Sequence, residues 1–218
     1  MSAEANEVTA EVEAGAGEEP PGLDPEVLER RREALDEVRQ FGDPVLKSRA
    51  SEVTNFDAEL AAEADRMIGL MQGALGIGLA ATQLGVMRRM LVFQAGPDAD
   101  PRALINPEIE WTGGDLVTAE EGCLSLAGVT MDVERPLHAR VRGQDLQGDG
   151  LLIEASGLEA RVLQHEIDHL DGVLILDRTP REQRRAALRA LRGGEHFDPS
   201  MLEPEAGSEE PGEPDPPG

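Results

Sequence analysis

The chain reads as an α+β protein on three observations. An amphipathic helical period appears early, a run of short apolar segments follows, and two further helices close the pattern. Asp24-Pro25-Glu26 opens a first, charged helix reaching about Glu37, with Pro25 at the first helical position, where its missing N–H costs nothing. Asp57 caps a longer helix to about Leu75, with Leu60, Ala64, Met67, Ile68 and Met71 on one face. The apolar runs Met90–Gln94, Ala103–Ile109, Asp115–Ala119, Leu137–Arg142 and Leu151–Glu154 read as strands, since Gly, Pro and Asp bound them. Asp145 to Gly150, with Gly148 and Gly150, reads as a hairpin turn. Ser156-Gly157-Leu158-Glu159 has the form of a capping box, which starts the next helix near Gly157, and Gly172 ends it. That helix is apolar on several sides (Leu158, Val162, Leu163, Ile167, Leu170), so it is expected to be covered by strands on more than one side. Pro180 to Arg192, rich in Arg and Ala, forms the last helix.

Composition narrows the function. The formal charge is −24 over 218 residues, which argues against nucleic acid or an anionic membrane as main partner. Nine acids and no base precede Arg30, and eight acids and no base run from Glu195 onward. Residues 30–194 hold 27 acids against 20 bases, an ordinary domain between acidic ends. The division is therefore a tail at 1–23, a folded domain at 24–194 and a tail at 195–218, both tails expected to be disordered. The single cysteine, Cys123, permits no intrachain disulfide. The N-terminus is acidic where a signal or transit peptide would be basic. No run of about 18 apolar residues exists to span a membrane, so a cytoplasmic protein is the expectation.

Gln164-His165-Glu166-Ile167-Asp168-His169 carries the chemistry. Histidines four apart stand one turn apart on one helix face, so both imidazoles reach one metal ion. Glu166 lies about 100° further round, within reach of a metal-bound water. H-E-x-x-H on a helix points to hydrolysis by an activated water. A catalytic site takes three protein ligands and leaves one position open, so a third ligand is needed. His196 lies in the acidic end, and His138, after Arg135-Pro136, reads as a partly exposed side chain. Cys123 would ordinarily be a small buried apolar residue. A histidine pair lacking its third ligand, and the affinity of thiolate for a borderline soft ion, favour it here. Asp168 flanks His165 and is either a partner supporting a ligand or half of a salt bridge.

Gly76-Ile77-Gly78-Leu79-Ala80-Ala81-Thr82-Gln83 admits two readings. It is a tight turn into small packed residues, or a loop that lets a peptide backbone approach at Gly78 with the Gln83 amide pointing inward. A phosphate-binding loop is excluded, because no Lys follows and no strand precedes.

The segments 76–83, 121–125 (Glu121-Gly122-Cys123-Leu124-Ser125) and 164–169 together resemble the three motifs of the peptide deformylases, in order and in spacing. The resemblance covers roughly 40–180, including Gly42-Asp43-Pro44-Val45-Leu46. It implies antiparallel strands surrounding a central helix that carries the H-E-x-x-H metal-binding motif. It implies removal of the formyl group from the N-terminal methionine of new polypeptides. By the resemblance Cys123, His165 and His169 bind the metal, and Glu166 is the general acid/base. Gln83 and the Leu124 N–H hold the oxyanion, and Gly78 pairs with the substrate backbone. The ion implied is Fe²⁺, with Zn²⁺, Ni²⁺ or Co²⁺ as substitutes. The partners implied are N-formylmethionyl nascent peptides near the ribosome; no direct nucleic-acid binding, no membrane and a monomeric chain are the further expectations. Ala127 departs from the proline frequent after the C-L-S segment, which bears on loop stiffness.

Two rivals predict other residues. A zinc endopeptidase would draw its third ligand from downstream of His169, where Asp171 and Asp177 are available. A non-catalytic metal-binding protein would fill all four positions with side chains.

Overall fold

A computed structural model describes residues 22–202. Residues 1–21 and 203–218, where most of both expected tails falls, lie outside the described residues. The element order is α1 (Pro25–Asp36), α2 (Ala58–Gly73), β1 (Gly78–Ala80), β2 (Met90–Phe93), β3 (Arg102–Thr112), β4 (Leu116–Glu121), β5 (Met131–Pro136), β6 (His138–Gln144), β7 (Gly150–Ser156), α3 (Leu158–Leu170) and α4 (Arg181–Gly193). Five strands form an antiparallel sheet in the order β1-β2-β3-β6-β7, and β4 pairs with β5 in a second, two-stranded sheet.

Strand alternation explains how the layers stack. Successive side chains of β2 point to opposite faces. Met90 and Val92 join Leu60, Ala64, Met67 and Met71 of α2. Leu91 and Phe93 join Ala160, Leu163, Ile167 and Leu170 of α3. The unbroken Met-Leu-Val-Phe run is therefore a strand covered by a helix on each face. Each such side chain contributes about 1.5–3 kcal/mol by leaving water. A third cluster, with Met131, Val133, Leu174, Ile175, Ala187 and Ala190, joins the small sheet to α4 and includes Cys123. Helix α3 contacts strands of both sheets.

Local signals set several ends. The Asp57 carboxylate accepts from the Glu59 and Leu60 N–H groups, a cap worth about 0.5–2 kcal/mol. After α3 the Gly172 N–H donates to the His169 carbonyl and the Val173 N–H to the Asp168 carbonyl, a Schellman close. Gly172 has φ +73°, and a Cβ there would stand 2.8 Å from the Lys47 backbone, so glycine is required twice over.

Four expectations are corrected. The segment at Gly78–Ala80, read as turn or loop, is strand β1 on the edge of the large sheet. Strand β5 went unread because its inward positions are Met131, Val133 and Arg135, and the arginine hides the alternation. Ser156 does not cap α3. It ends β7 opposite His138, the chain turns on Gly157 at φ +60°, and no side chain caps the helix. The boundary at 195 falls too early, because Phe197 is buried in the third cluster and bridges to Val129.

Candidate metal centre

Eleven of the thirteen residues of α3 are buried, including His165, Glu166 and His169. The four-residue spacing brings the two Nε2 atoms to 3.2 Å. Cys123 lies in the loop after β4, fully buried, with Sγ 3.2 Å from His169 Nε2. The three ligand atoms lie within 4.8 Å of one another, and among the described residues no other group of His, Cys, Asp or Glu converges in this way. Two nitrogens on a tetrahedral ion stand about 3.4 Å apart and a sulfur and a nitrogen about 3.6 Å, given ordinary bond lengths. The observed separations are close to both. A buried thiol and two imidazoles with their ligand atoms this close together can share one cation. The donor set therefore fits a divalent ion of intermediate softness.

The surrounding charges orient this set. Glu121, at the end of β4, accepts from His165 Nδ1 at 3.0 Å, which leaves Nε2 facing the cysteine. The same carboxylate binds Arg135 through Oε1 at 2.6 Å and Oε2 at 3.0 Å, and Arg161 at 2.6 Å. Burial would raise the Glu121 pKa, but the hydrogen bonds from His165 and Arg135 hold it well below the usual carboxylate range. Arg135 reaches on to Asp168 at 2.8 Å, and Arg178 binds Asp168 from the exposed side. Asp168 is thus half of a salt bridge whose arginine also holds the carboxylate behind His165. Burial disfavours charge on His165, yet its contacts with Cys123 and Glu121 push its pKa well above the ordinary value. Burial, followed by the nearby His165 charge, drives His169 well below it.

The other predicted residues gather at the same place. Gln83, in the 3-10 turn Ala81–Leu84, accepts from the Ala80 N–H at 2.8 Å through Oε1. That bond aims its Nε2 at Ser125 Oγ (3.2 Å) and toward Cys123 Sγ (3.8 Å). Leu124 follows the cysteine, and its carbonyl is held by Gln40 Nε2 at 3.0 Å. Gly78 on β1 lies against Glu166, and a Cβ at 78 would stand 2.3 Å from Glu166 Oε1. Gly78 therefore makes room for the carboxylate, a reason the sequence did not supply.

Rival ligands are engaged elsewhere. Asp171 pairs with Arg89 at 2.7 Å, Asp177 with Lys47, and His196 with Asp198. His138 starts β6 and is part-buried, outside the cluster. Sequence reasoning assigned no role to Glu121, Arg135, Arg161, Ser125 or Gln40. The available signal was charge inside apolar context, as in Ala160-Arg161-Val162, where an arginine that cannot face water demands a buried acid.

The chain is similar to known proteins of one family. Residues 35–185 match the family model described as polypeptide deformylase. The chain is 44% identical over 164 residues to peptide deformylase 1 of Corynebacterium efficiens, covering 74% of this chain and 97% of that one. It is 47% identical over 141 residues to the peptide deformylase of Thermotoga neapolitana, covering 65% and 85%. The solved peptide deformylase of Thermotoga maritima superposes with a TM-score of 0.64 at 45% identity, covering 66% of this chain and 96% of that one. The Synechococcus elongatus enzyme in complex with actinonin gives 0.68 at 39% identity, covering 82% and 91%.

Proposed function

The chain belongs to the polypeptide deformylase family, and on that premise we propose a role for each residue of its buried site. The enzyme is a hydrolase that removes the N-terminal formyl group from nascent peptides. Cys123, His165 and His169 hold one divalent metal ion. The observation that carries this reading is the convergence of their three ligand atoms within 4.8 Å, beside a glutamate packed on a glycine. The ion, when bound, would lower the pKa of a water molecule toward the neutral range. Fe²⁺ is the ion proposed, with Zn²⁺, Ni²⁺ or Co²⁺ as substitutes, since all accept a Cys/His₂ set.

The protein's own groups perform the rest. Glu166 takes the proton of the attacking water, and oxygen adds to the formyl carbon. The Gln83 amide and the Leu124 N–H hold the oxyanion that forms. Glu166 returns the proton to the departing nitrogen as the C–N bond breaks, leaving formate and a free amino terminus. Gly78 pairs its backbone with the substrate. Its position on an edge strand supports this, because an extended peptide can add to an unpaired edge. The helix bearing H-E-x-x-H is read as the central element, between antiparallel strands of both sheets. The catalytic domain is taken as 24–194 plus the packed residues to Leu202, between two acidic ends.

Among the described residues no helix is long and apolar enough to cross a membrane. The proposed setting is the cytoplasm near the ribosome, acting as a monomer on N-formylmethionyl peptides, with no direct nucleic-acid binding. The experiment is anaerobic purification with metal analysis, then formate release from formyl-Met peptides beside ordinary peptides. Deformylation with about one ion per chain, and loss of the ion in Cys123→Ser, is expected. Cleavage of unformylated peptides, or a Cys123→Ser protein that keeps its ion, would overturn the assignment.

A further inference from the structure

Helix α4 presents an arginine face that nothing described neutralises. Arg181, Arg185, Arg189 and Arg192 follow at intervals of four, four and three, which aligns them on one side, and all are exposed. The opposite side carries Ala187 and Ala190, buried in the third cluster, with Leu188 and Leu191 packed against it. Among the described residues no carboxylate forms an ion pair with any of these four arginines, and Arg184 beside them reaches only Asp177, at 3.6 Å. Such a stripe is unusual in a chain of net charge −24, whose acids could have been placed to pair it.

We propose that the acidic segment 203–218 of this same chain docks on the arginine face of α4 and shields it from other polyanions. The segment carries Glu203, Glu205, Glu209, Glu210, Glu213 and Asp215 and no base. It starts where it must for this purpose. Leu202, the last described residue, packs on the cluster that carries Leu188 and Leu191 of α4. Helix α4, at 13 residues, is about 20 Å long. Sixteen residues can extend about 50 Å, enough to run the full length of the helix. A tether this short holds the acids near the arginines at an effective concentration of about millimolar. The N-terminal acids are the poorer candidate, because that end enters α1, which packs with α2 in the first cluster, whereas α4 packs in the third. Exposed charges interact weakly one by one and are screened by salt. Docking therefore depends on several pairs at once and is reversible with ionic strength.

The test uses the full-length protein and a full-length variant with the five glutamates of the segment changed to Gln and Asp215→Asn. Amide shifts of residues 181–193 are recorded at about 20 mM and about 0.5 M salt, where screening differs severalfold. The wild type at low salt should differ from the variant along α4, and the two should converge at high salt with α1 unmoved. Heparin, as a probe polyanion, should bind the variant at least threefold more tightly than the wild type. Arg185→Gln/Arg189→Gln should abolish that gain. Superimposable α4 shifts at low salt, changes centred on α1, or equal heparin affinity would overturn the proposal, the last by showing the face open to an outside polyanion. Deformylation is expected to be unchanged throughout, so failure here leaves the metal-site reading standing.

Discussion

Gly78→Ala tests the fit between β1 and α3 most directly. The new Cβ would stand 2.3 Å from Glu166 Oε1, 2.8 Å from Cδ and 2.9 Å from Cγ. Ordinary contact begins at 3.4 Å, so the carboxylate must retreat by about 1 Å. The strand cannot yield instead, because Gly78 is paired with Phe93 and β1 packs on α3. A misplacement of about 1 Å in a group that transfers protons costs about 10²-fold in rate. That corresponds to about 2.7 kcal/mol in the barrier. The proposed ligands Cys123, His165 and His169 are untouched, so metal content should stay at wild-type level. Formate release over a range of formyl-Met peptide concentrations separates kcat from KM. A kcat within threefold of wild type in fully metallated protein would refute the reasoning. A rise in KM alone would assign Gly78 to peptide approach only.

Four other substitutions probe separate parts of the site and its frame. Glu166→Gln should retain metal and lose about 10²–10⁴ in rate, and activity within threefold of wild type would remove Glu166 as the proton carrier. Gln83→Leu should lower kcat by about 10²–10³, whereas an effect on KM alone would make it a substrate contact. Glu121→Ala leaves Arg135 with Asp168 alone and Arg161 with backbone carbonyls alone, so unfolding by urea should show a loss of about 3–5 kcal/mol. The same variant should bind metal about 10–100-fold more weakly, and unchanged values of both would dismiss the network. Asp177 is held below its ordinary pKa of 3.8: burial opposes this, but the Lys47 and Leu174 hydrogen bonds outweigh it. Its contribution is present above pH 4, is lost as pH falls through the folded value, and is about 1 kcal/mol or less for a part-exposed pair. The stability gap between wild type and Asp177→Asn should therefore shrink toward zero below about pH 4, and a gap constant in pH would contradict it.

Where the pattern was periodic and apolar, the sequence was sufficient. The α2 stripe of Leu60, Ala64, Met67 and Met71 is buried as its spacing requires. The β2 run and the two histidines on α3 were likewise legible, since spacing alone decides which side chains share a face. Where an inward position was charged, legibility failed. Arg135 concealed β5, and the buried Arg161 of α3 carried no reading from residue order. Ser156 looked like a cap because the four-residue pattern does not show that the ladder with β6 already claims it.

By itself the sequence determined which groups could do chemistry: an H-E-x-x-H helix, one cysteine, the Gln83 amide and a glycine run. Chain folding decided which of them meet. Cys123 lies more than forty residues from His165 and reaches it only because β4 ends beside α3. Glu121 is an unremarked acid in the sequence, and becomes the support of His165 because two arginines and burial fix its charge. Gly78 is needed because the Glu166 carboxylate of α3 fills the space a side chain would take. Spacing along a helix is a local property, readable from residue order. Contacts between segments depend on how sheets and helices stack, and only the packed molecule sets that distance.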